Sequence, residues 1–327
     1  MRALVTGAAG FLGRHVVSAL LSDGHEVRAT RRRPGDGHDP RAMWIQTDLT
    51  RASYDELVSG VDVVVHLAGM VSRDPKDATQ MYRLHVDLTR KLLEVCDGKR
   101  LILASTSGTI AVSPEDIGPM DEQHHPTIEL LGRWPYYLSK YHQERLVLQW
   151  CMSGRGEAVI LNPSLLLGPG DDKLTSTTDV LDVLNRRYPA AVAGTLAMVD
   201  VRDAAPVFAR AISRGKSGQR YLLSGANMSV RRFAERVAQL GSVPSPKVVL
   251  PGTWAVAGAK LKDGIRFALR GESSTEPVSV DMARHHWACQ CTLARETFDF
   301  SPRDPGVTLK DTIAELAKRR LFRPVHD

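Results

Sequence analysis

The sequence predicts an α/β fold: a doubly wound parallel sheet with a smaller, mostly C-terminal lobe. Three features carry that prediction. Apolar strand-like runs alternate with periodic helix-length segments across the first 163 residues. The opening strand passes through a glycine turn directly into a helix. Beyond Pro163 the alternation loosens.

In chain order, Arg2-Ala3-Leu4-Val5-Thr6 reads as a short strand. Gly7-Ala8-Ala9-Gly10-Phe11-Leu12-Gly13 reads as a turn, and Val16, Val17, Ala19, Leu20 and Leu21 form the apolar face of a helix that stops at Asp23-Gly24. Further strands are expected at 27–30, from 44–45, at 61–67, at 101–104 and at 159–161, with helices at 54–59, about 78–96 and about 136–152. The run Val63-Val64-Val65 is continuously apolar, as a strand covered on both faces should be. Gly168-Pro169-Gly170-Asp171-Asp172 is a turn cluster. A helix is expected over 180–187, a strand at 221–223, a helix at 230–240 and a closing amphipathic helix at 308–320. From 243 to about 305, prolines, glycines and short amphipathic pieces alternate. The expected division is a dinucleotide-binding domain over 1–163 with returning segments near 190–240, and a substrate lobe from 164–189 and 241–327.

Composition narrows the function classes. A chain of 327 residues with 43% hydrophobic content can bury a large core. It holds no 18-residue apolar run, so no transmembrane helix and no membrane partner are expected. The opening residues lack the pattern of a secretory signal. Cys96, Cys151, Cys289 and Cys291 are too scattered for a disulfide framework, and Cys289-Gln-Cys291 has no second ligand pair nearby, so no metal is expected. The net charge is +6 and the pI about 9.2, yet no basic tract is interleaved with aromatics, and no nucleic-acid partner is expected. These features describe a cytoplasmic enzyme acting on a small molecule.

Three constellations carry chemistry. Gly7, Gly10 and Gly13 form G-x-x-G-x-x-G at a strand-to-helix junction. There, glycines let backbone N–H groups approach a pyrophosphate, and the helix N-terminus supplies unpaired donors. Tyr136 and Lys140 stand four apart at the start of a helix and share a face. An ammonium beside a phenol favours the phenolate and brings its pKa toward the range where proton transfer to a carbonyl works. Ser105-Thr106-Ser107 follows the fifth strand, at the carboxyl edge where parallel sheets place ligands, and a hydroxyl there can bond a substrate oxygen.

These residues resemble the extended short-chain dehydrogenase/reductases, a Rossmann-type family, over nearly the whole chain. Thr6 to Gly13 is similar to T-G-x-x-G-F-[IL]-G, and Asp48-Leu49 to a D-[LV] pair beside the adenine. His66-Leu67-Ala68-Gly69 resembles H-x-A-[AG], and Tyr136 to Lys140 resembles Y-x-x-x-K. Asn162-Pro163-Ser164 through Asp171 is similar to [RN]-P-S-x-x-x-G-P-x-D, and Val199 to Ala205 to V-[DH]-V-x-D-[VA]-A. The dihydroflavonol-reductase-like and hopanoid-associated sugar-epimerase-like branches are the most similar. The resemblance implies Tyr136, Lys140 and Thr106 as catalytic residues, with Ser107 as the alternative hydroxyl. It implies a cofactor held by Gly7, Gly10, Phe11, Leu12, Gly13, Asp48, Leu49, Leu67, Ala68, Gly69, Pro163 and Ser164 together with Tyr136 and Lys140. Where NAD-selective relatives carry Asp, this chain has Arg31, and the reductase branch carries arginine at the place of Arg32. A guanidinium fork suits a 2′-phosphate, so NADP(H) is expected in preference to NAD(H). The expected function is hydride transfer between the nicotinamide and a ketone or secondary alcohol; the alternative is a nucleotide-sugar epimerase. Homodimerisation through two helices is a further implication of the family. One departure stands out: where the family often has Asn in N-x-x-G-T, this chain has His85-Val86-Asp87-Leu88-Thr89, with His85 expected as a partly buried helix histidine.

Overall fold

The computed structural model describes residues 1–35, 39–187, 190–246, 248–270 and 274–323, without the side chains of 269 and 270. Its strands are β1 Arg2–Thr6, β2 Glu26–Arg31, β3 Met43–Gln46, β4 Val63–His66, β5 Arg100–Ala104, β6 Glu157–Pro163, β7 Leu165–Leu167, β8 Ala190–Val192, β9 Thr195–Asp200, β10 Gln219–Leu223, β11 Ala226–Ser229 and β12 Val248–Leu250. Its helices are α1 Phe11–Ser22, α2 Tyr54–Val58, α3 Ala78–Tyr82, α4 Leu88–Glu94, α5 Ile128–Leu131, α6 Pro135–Met152, α7 Thr178–Leu184, α8 Val201–Arg210, α9 Val230–Leu240, α10 Gly252–Arg270, α11 Glu276–Ala283, α12 Thr292–Phe298 and α13 Pro305–Lys318.

Seven strands form one sheet in the order β10-β6-β5-β4-β1-β2-β3, and every pairing is parallel. This is the doubly wound architecture the sequence predicts. The chain moves outward from β1 to β3, then returns to place β4 on the other side of β1. That reversal opens a crevice at the carboxyl ends of β1 and β4, where Thr6 pairs in register with His66.

Alternation along β1 assigns its two faces. Ala3 and Val5 join a buried cluster with Val16, Val17 and Leu20 of α1 and Val207 and Phe208 of α8. Leu4 points the other way, into a cluster with Leu92 of α4 and Val147 and Trp150 of α6. A third cluster unites α7, α9 and α13 beside the small sheet β11-β9-β7. Arg28 of β2 fastens α2 by donating to the carbonyls of Glu56, Leu57 and Ser59, which satisfies groups the short helix leaves open.

Two expectations are corrected. The helix expected over 78–96 is interrupted by a π-turn at Arg83–Asp87 between α3 and α4. The stretch after 243, expected as short pieces, contains the long helix α10.

Candidate active site

The glycine turn is built by close packing. Gly7 has φ +69°, and a Cβ on it would lie 2.7 Å from Ala68 N. A Cβ on Gly13 would lie 2.2 Å from the Gly7 carbonyl oxygen. Only glycine lets β1, the β4 exit and the first turn of α1 meet this closely. The N-terminus of α1 is capped by no side chain, and its first turn, from Phe11 and Leu12 onward, holds no acidic residue. That arrangement fits the pyrophosphate of a dinucleotide.

The other predicted cofactor residues gather along the same edge of the sheet. Arg31 ends β2, with its guanidinium 5.9 Å from the centroid of the Trp44 ring. Arg32 follows it, exposed. The Asp48 carboxyl is held below the usual range, first by the N–H and hydroxyl of Thr50 and more weakly by Arg51 and Arg32. The Leu49 carbonyl accepts the Tyr54 hydroxyl at 2.7 Å. Pro163 closes β6, and Ser164 donates its N–H to the Leu223 carbonyl at 2.9 Å.

Helix α6 carries the proposed chemistry. Pro135 starts it, where a missing N–H costs nothing. Tyr136 lies in its first turn, with its side chain part-exposed in a cavity wall. The Thr106 side chain beside the phenol pulls its pKa down, but burial dominates and pushes it up to about 12. Ser107 is buried, and its carbonyl is taken by the N–H groups of Ile110 and Ala111 in a 3-10 turn. Thr106 and Ser107 both line the cavity wall with Tyr136.

Lys140 departs from expectation. Its ammonium does not act on Tyr136; it donates to the Ala104 carbonyl at 2.6 Å and to Gln143 Oε1 at 2.5 Å. Burial pushes the Lys140 pKa down to about 7, offset in part by the negative charge of Glu144 one turn further on. Glu144 is itself buried, accepts from Thr109 Oγ1 at 2.7 Å and Asn162 Nδ2 at 2.6 Å, and faces Arg220 at 3.6 Å.

Behind Lys140 runs a polar chain in which every proton can be placed. Thr89 Oγ1 donates to the His85 carbonyl at 2.5 Å, so it accepts from Gln143 Nε2 at 2.8 Å and from His66 Nε2 at 2.9 Å. His66 therefore carries its proton on Nε2, and its Nδ1 accepts the Thr6 hydroxyl at 2.6 Å. Burial holds this imidazole neutral, with a pKa pushed down to about 3. The chain thus links the glycine turn to the lysine through Thr6, His66, Thr89 and Gln143. In the sequence Thr6, His66 and Thr89 stand inside motif segments, whereas Gln143 lies in none. The available signal was the spacing of Gln143 three residues beyond Lys140, on the same helix face.

His85 forms a second link. It is buried, where the sequence suggested a partly buried histidine. The Met70 N–H donates to its Nε2 at 3.1 Å, so the proton sits on Nδ1 and is donated to Ser139 Oγ at 2.8 Å. Ser139 in turn donates to the Tyr136 carbonyl at 2.8 Å, and the His85 ring stands edge-on to the Tyr136 ring, 5.9 Å between centroids. The loop Leu67-Ala68-Gly69 is thereby tied to the helix turn that carries the phenol.

Tyr136 and Thr106 open onto a cavity of about 750 Å³. Its wall is mostly apolar. Trp134, Trp287 and Met282 line it, with Tyr137 set between Trp134 and Trp287. Trp254 lines it too, while Phe267 of the same helix is exposed outside it. Of the three cations on the wall, Arg73 pairs with Asp179 at 2.6 Å and Lys262 with Glu276 at 2.9 Å; the third is Lys173. The hydroxyls of Ser105 and Ser164 also reach this wall, buried and without a hydrogen-bond partner. Arg187 of the Arg186-Arg187 pair bonds Asp182 at 2.9 Å, and neither arginine lines the cavity.

Comparison with known proteins agrees with this geometry. The model of the NAD dependent epimerase/dehydratase family matches residues 3–224. A Synechocystis sp. protein provisionally named dihydroflavonol 4-reductase is 32% identical over 259 residues, 76% of this chain and 74% of that protein. Sterol demethylase protein B of Methylococcus capsulatus is 29% identical over 333 residues, 98% of this chain and 100% of that protein. Among solved structures, the crystal structure of gox2253 superposes with a TM-score of 0.81 at 28% identity, covering 98% of this chain and 99% of the other.

Proposed function

The chain belongs to the NAD dependent epimerase/dehydratase family, the extended short-chain dehydrogenase/reductases, and from that premise we propose that it is an NADP(H)-dependent carbonyl reductase acting on an apolar ketone or secondary alcohol. The observation that carries the proposal is a half-buried tyrosine, Tyr136, beside Thr106 in the wall of a mostly apolar cavity whose Arg73 and Lys262 are already paired with carboxylates. A nucleotide-sugar diphosphate would find, among the described residues, only Lys173 of the wall's three cations without a carboxylate partner, and two phosphates call for more. A neutral, largely apolar carbonyl compound needs surface to bury and one donor for its oxygen.

The bound cofactor supplies or accepts the hydride. Gly7, Gly10, Phe11, Leu12 and Gly13 would hold its pyrophosphate, Arg31 and Arg32 its 2′-phosphate, and Asp48 and Leu49 its adenine. Leu67, Ala68, Gly69, Pro163 and Ser164 would flank the nicotinamide end. Tyr136, protonated because burial raises its pKa, gives its proton to the developing alkoxide in the direction of reduction. Thr106 orients the substrate oxygen and the phenol together. Lys140 holds its ammonium on Ala104 and Gln143, ready to turn toward the nicotinamide ribose.

Whole-length similarity to a protein named for sterol demethylation makes steroid ketones the first class to screen, beside aromatic ketones and UDP-sugars, by consumption of NADPH. Tyr136→Phe should lower turnover by about 10²-fold or more while dinucleotide affinity stays within a few-fold. Retained turnover in that variant would remove Tyr136 from the mechanism. Protein purified with stoichiometric dinucleotide, inert toward every ketone but converting a UDP-sugar, would establish epimerisation instead.

A further inference from the structure

Helix α10 carries its apolar residues on the outside. Its inward face is thin: Ala255, Val256 and Ala259 pack against Val192, Val280 and Ala283. Trp254, Ala257, Leu261, Ile265 and Ala268 recur at intervals of three and four, so they fall on one stripe along the helix, and all five are exposed. Trp254 is 76% exposed, Leu261 68% and Ile265 54%. Seven of the sixteen exposed large apolar side chains among the described residues lie between Val248 and Phe267, which marks this as a concentrated patch.

Charge frames the stripe. Lys260 and Lys262 flank Leu261 on either side, each about 100° around the helix from it; Lys262 is held by Glu276 at the cavity wall, and Lys260 is exposed. The one acidic residue of α10, Asp263, is turned inward and accepts the Ser274 N–H at 2.5 Å. Trp254 is both highly exposed and part of the cavity wall, so it stands at the cavity rim. No helix among the described residues is long and apolar enough to cross a membrane.

We propose that the outer stripe of α10 docks on the surface of an anionic lipid bilayer, with Trp254, Leu261 and Ile265 entering the headgroup boundary, Lys260 meeting a lipid phosphate, and the cavity rim facing the membrane. An apolar stripe with an exposed lysine beside it and an indole at its edge matches the chemistry of an interfacial helix. A second copy of the chain fits less well. A two-fold contact centred on Leu261 would bring the exposed Lys260 of one copy toward the same lysine of the other. The sequence led to an expectation of no membrane partner because it holds no crossing helix; peripheral contact needs none, and the proposal revises that expectation. The proposal stands apart from the reductase reading, because lipid binding needs no turnover.

The test is co-sedimentation of the full chain with vesicles of phosphatidylcholine alone and of phosphatidylcholine mixed with phosphatidylglycerol, alongside sedimentation velocity without lipid. The chain should sediment with the anionic vesicles and weakly or not at all with the neutral ones. Leu261→Glu combined with Ile265→Glu should weaken binding by about tenfold or more at an unchanged melting temperature. Lys260→Glu should reduce the preference for anionic lipid. Failure to bind the anionic vesicles, or binding that the Leu261/Ile265 pair leaves intact, would overturn the proposal. A dimer dissolved by the Leu261/Ile265 substitutions, with no vesicle binding, would show that a second copy covers the stripe.

Discussion

The imidazole of His85 occupies the space that a side chain at Gly69 would need. A Cβ on Gly69 would lie 2.7 Å from His85 Nε2 and 2.9 Å from its Cδ2. The ring cannot swing aside cheaply, because Met70 N–H holds one nitrogen and Ser139 Oγ the other. Gly69→Ala should therefore destabilise the fold by about 1–3 kcal/mol, as overpacking does. In a His85→Ala background the same change should cost about 1 kcal/mol less. Equal costs in the two backgrounds, measured by urea unfolding, would show that the histidine is not what Gly69 accommodates.

The Lys140 ammonium ties cofactor affinity to pH. In the chain without ligand its pKa is pushed down to about 7 by burial. A bound dinucleotide adds negative charge and raises that value, so binding takes up a proton at pH values above about 7. The dissociation constant should stay flat below that pH and rise above it, by up to about tenfold per pH unit until the bound-state pKa is reached. Fluorescence titration across that range checks the slope, and Lys140→Met should flatten it.

Two neutral imidazoles make the fold acid-sensitive. Burial lowers the pKa of His66 to about 3 and that of His85 well below its usual value. Unfolded, each would protonate near 6.5, so below that pH the unfolded chain binds more protons. Stability contributed by these groups is full above about 6.5 and is lost as pH falls toward the folded values. Between pH 7 and 5 the loss from His66 alone is on the order of 2 kcal/mol. Denaturant titrations at both pH values measure the drop. His85→Asn should make it smaller, and an unchanged drop would show that His85 titrates normally.

Arg32 offers a direct test of cofactor choice. It is exposed and close enough to Asp48 to influence its carboxyl. Arg32→Ser should weaken NADPH binding by about 10- to 100-fold, the worth of a charge-assisted contact to a phosphate, and leave NADH binding nearly unchanged. Tighter binding of NADH than NADPH by the parent chain would reverse the assignment. Arg31 is the less informative target, since its guanidinium also lies against Trp44.

Legibility in the sequence followed how local the determining physics is. The helix 230–240 was placed to the residue because its apolar side is buried and its ends are conventionally capped by Ser229 and Gly241. Helix α10 was missed for the opposite reason. Its buried face is made of small residues, its large apolar side chains face outward, and Gly258 and Gly264 read as interruptions. The π-turn at Arg83–Asp87 leaves no mark on periodicity; it becomes visible only once Thr89 Oγ1 is seen on the His85 carbonyl.

By itself the sequence determined the α/β class, the glycine turn at the first strand, and the one-turn spacing of Tyr136 and Lys140. Each depends on residues adjacent in the chain, whose backbone preferences and helix phase act over a few ångströms. Only the tertiary structure decided where the Lys140 ammonium points, that Gln143 and Thr89 connect it to His66, and that Arg73 and Lys262 are spent on carboxylates at the cavity wall. Those outcomes depend on burial and on partners brought together from separate elements, because the cost of an unpaired group inside the fold selects its neighbours, and that cost is unwritten in any one segment.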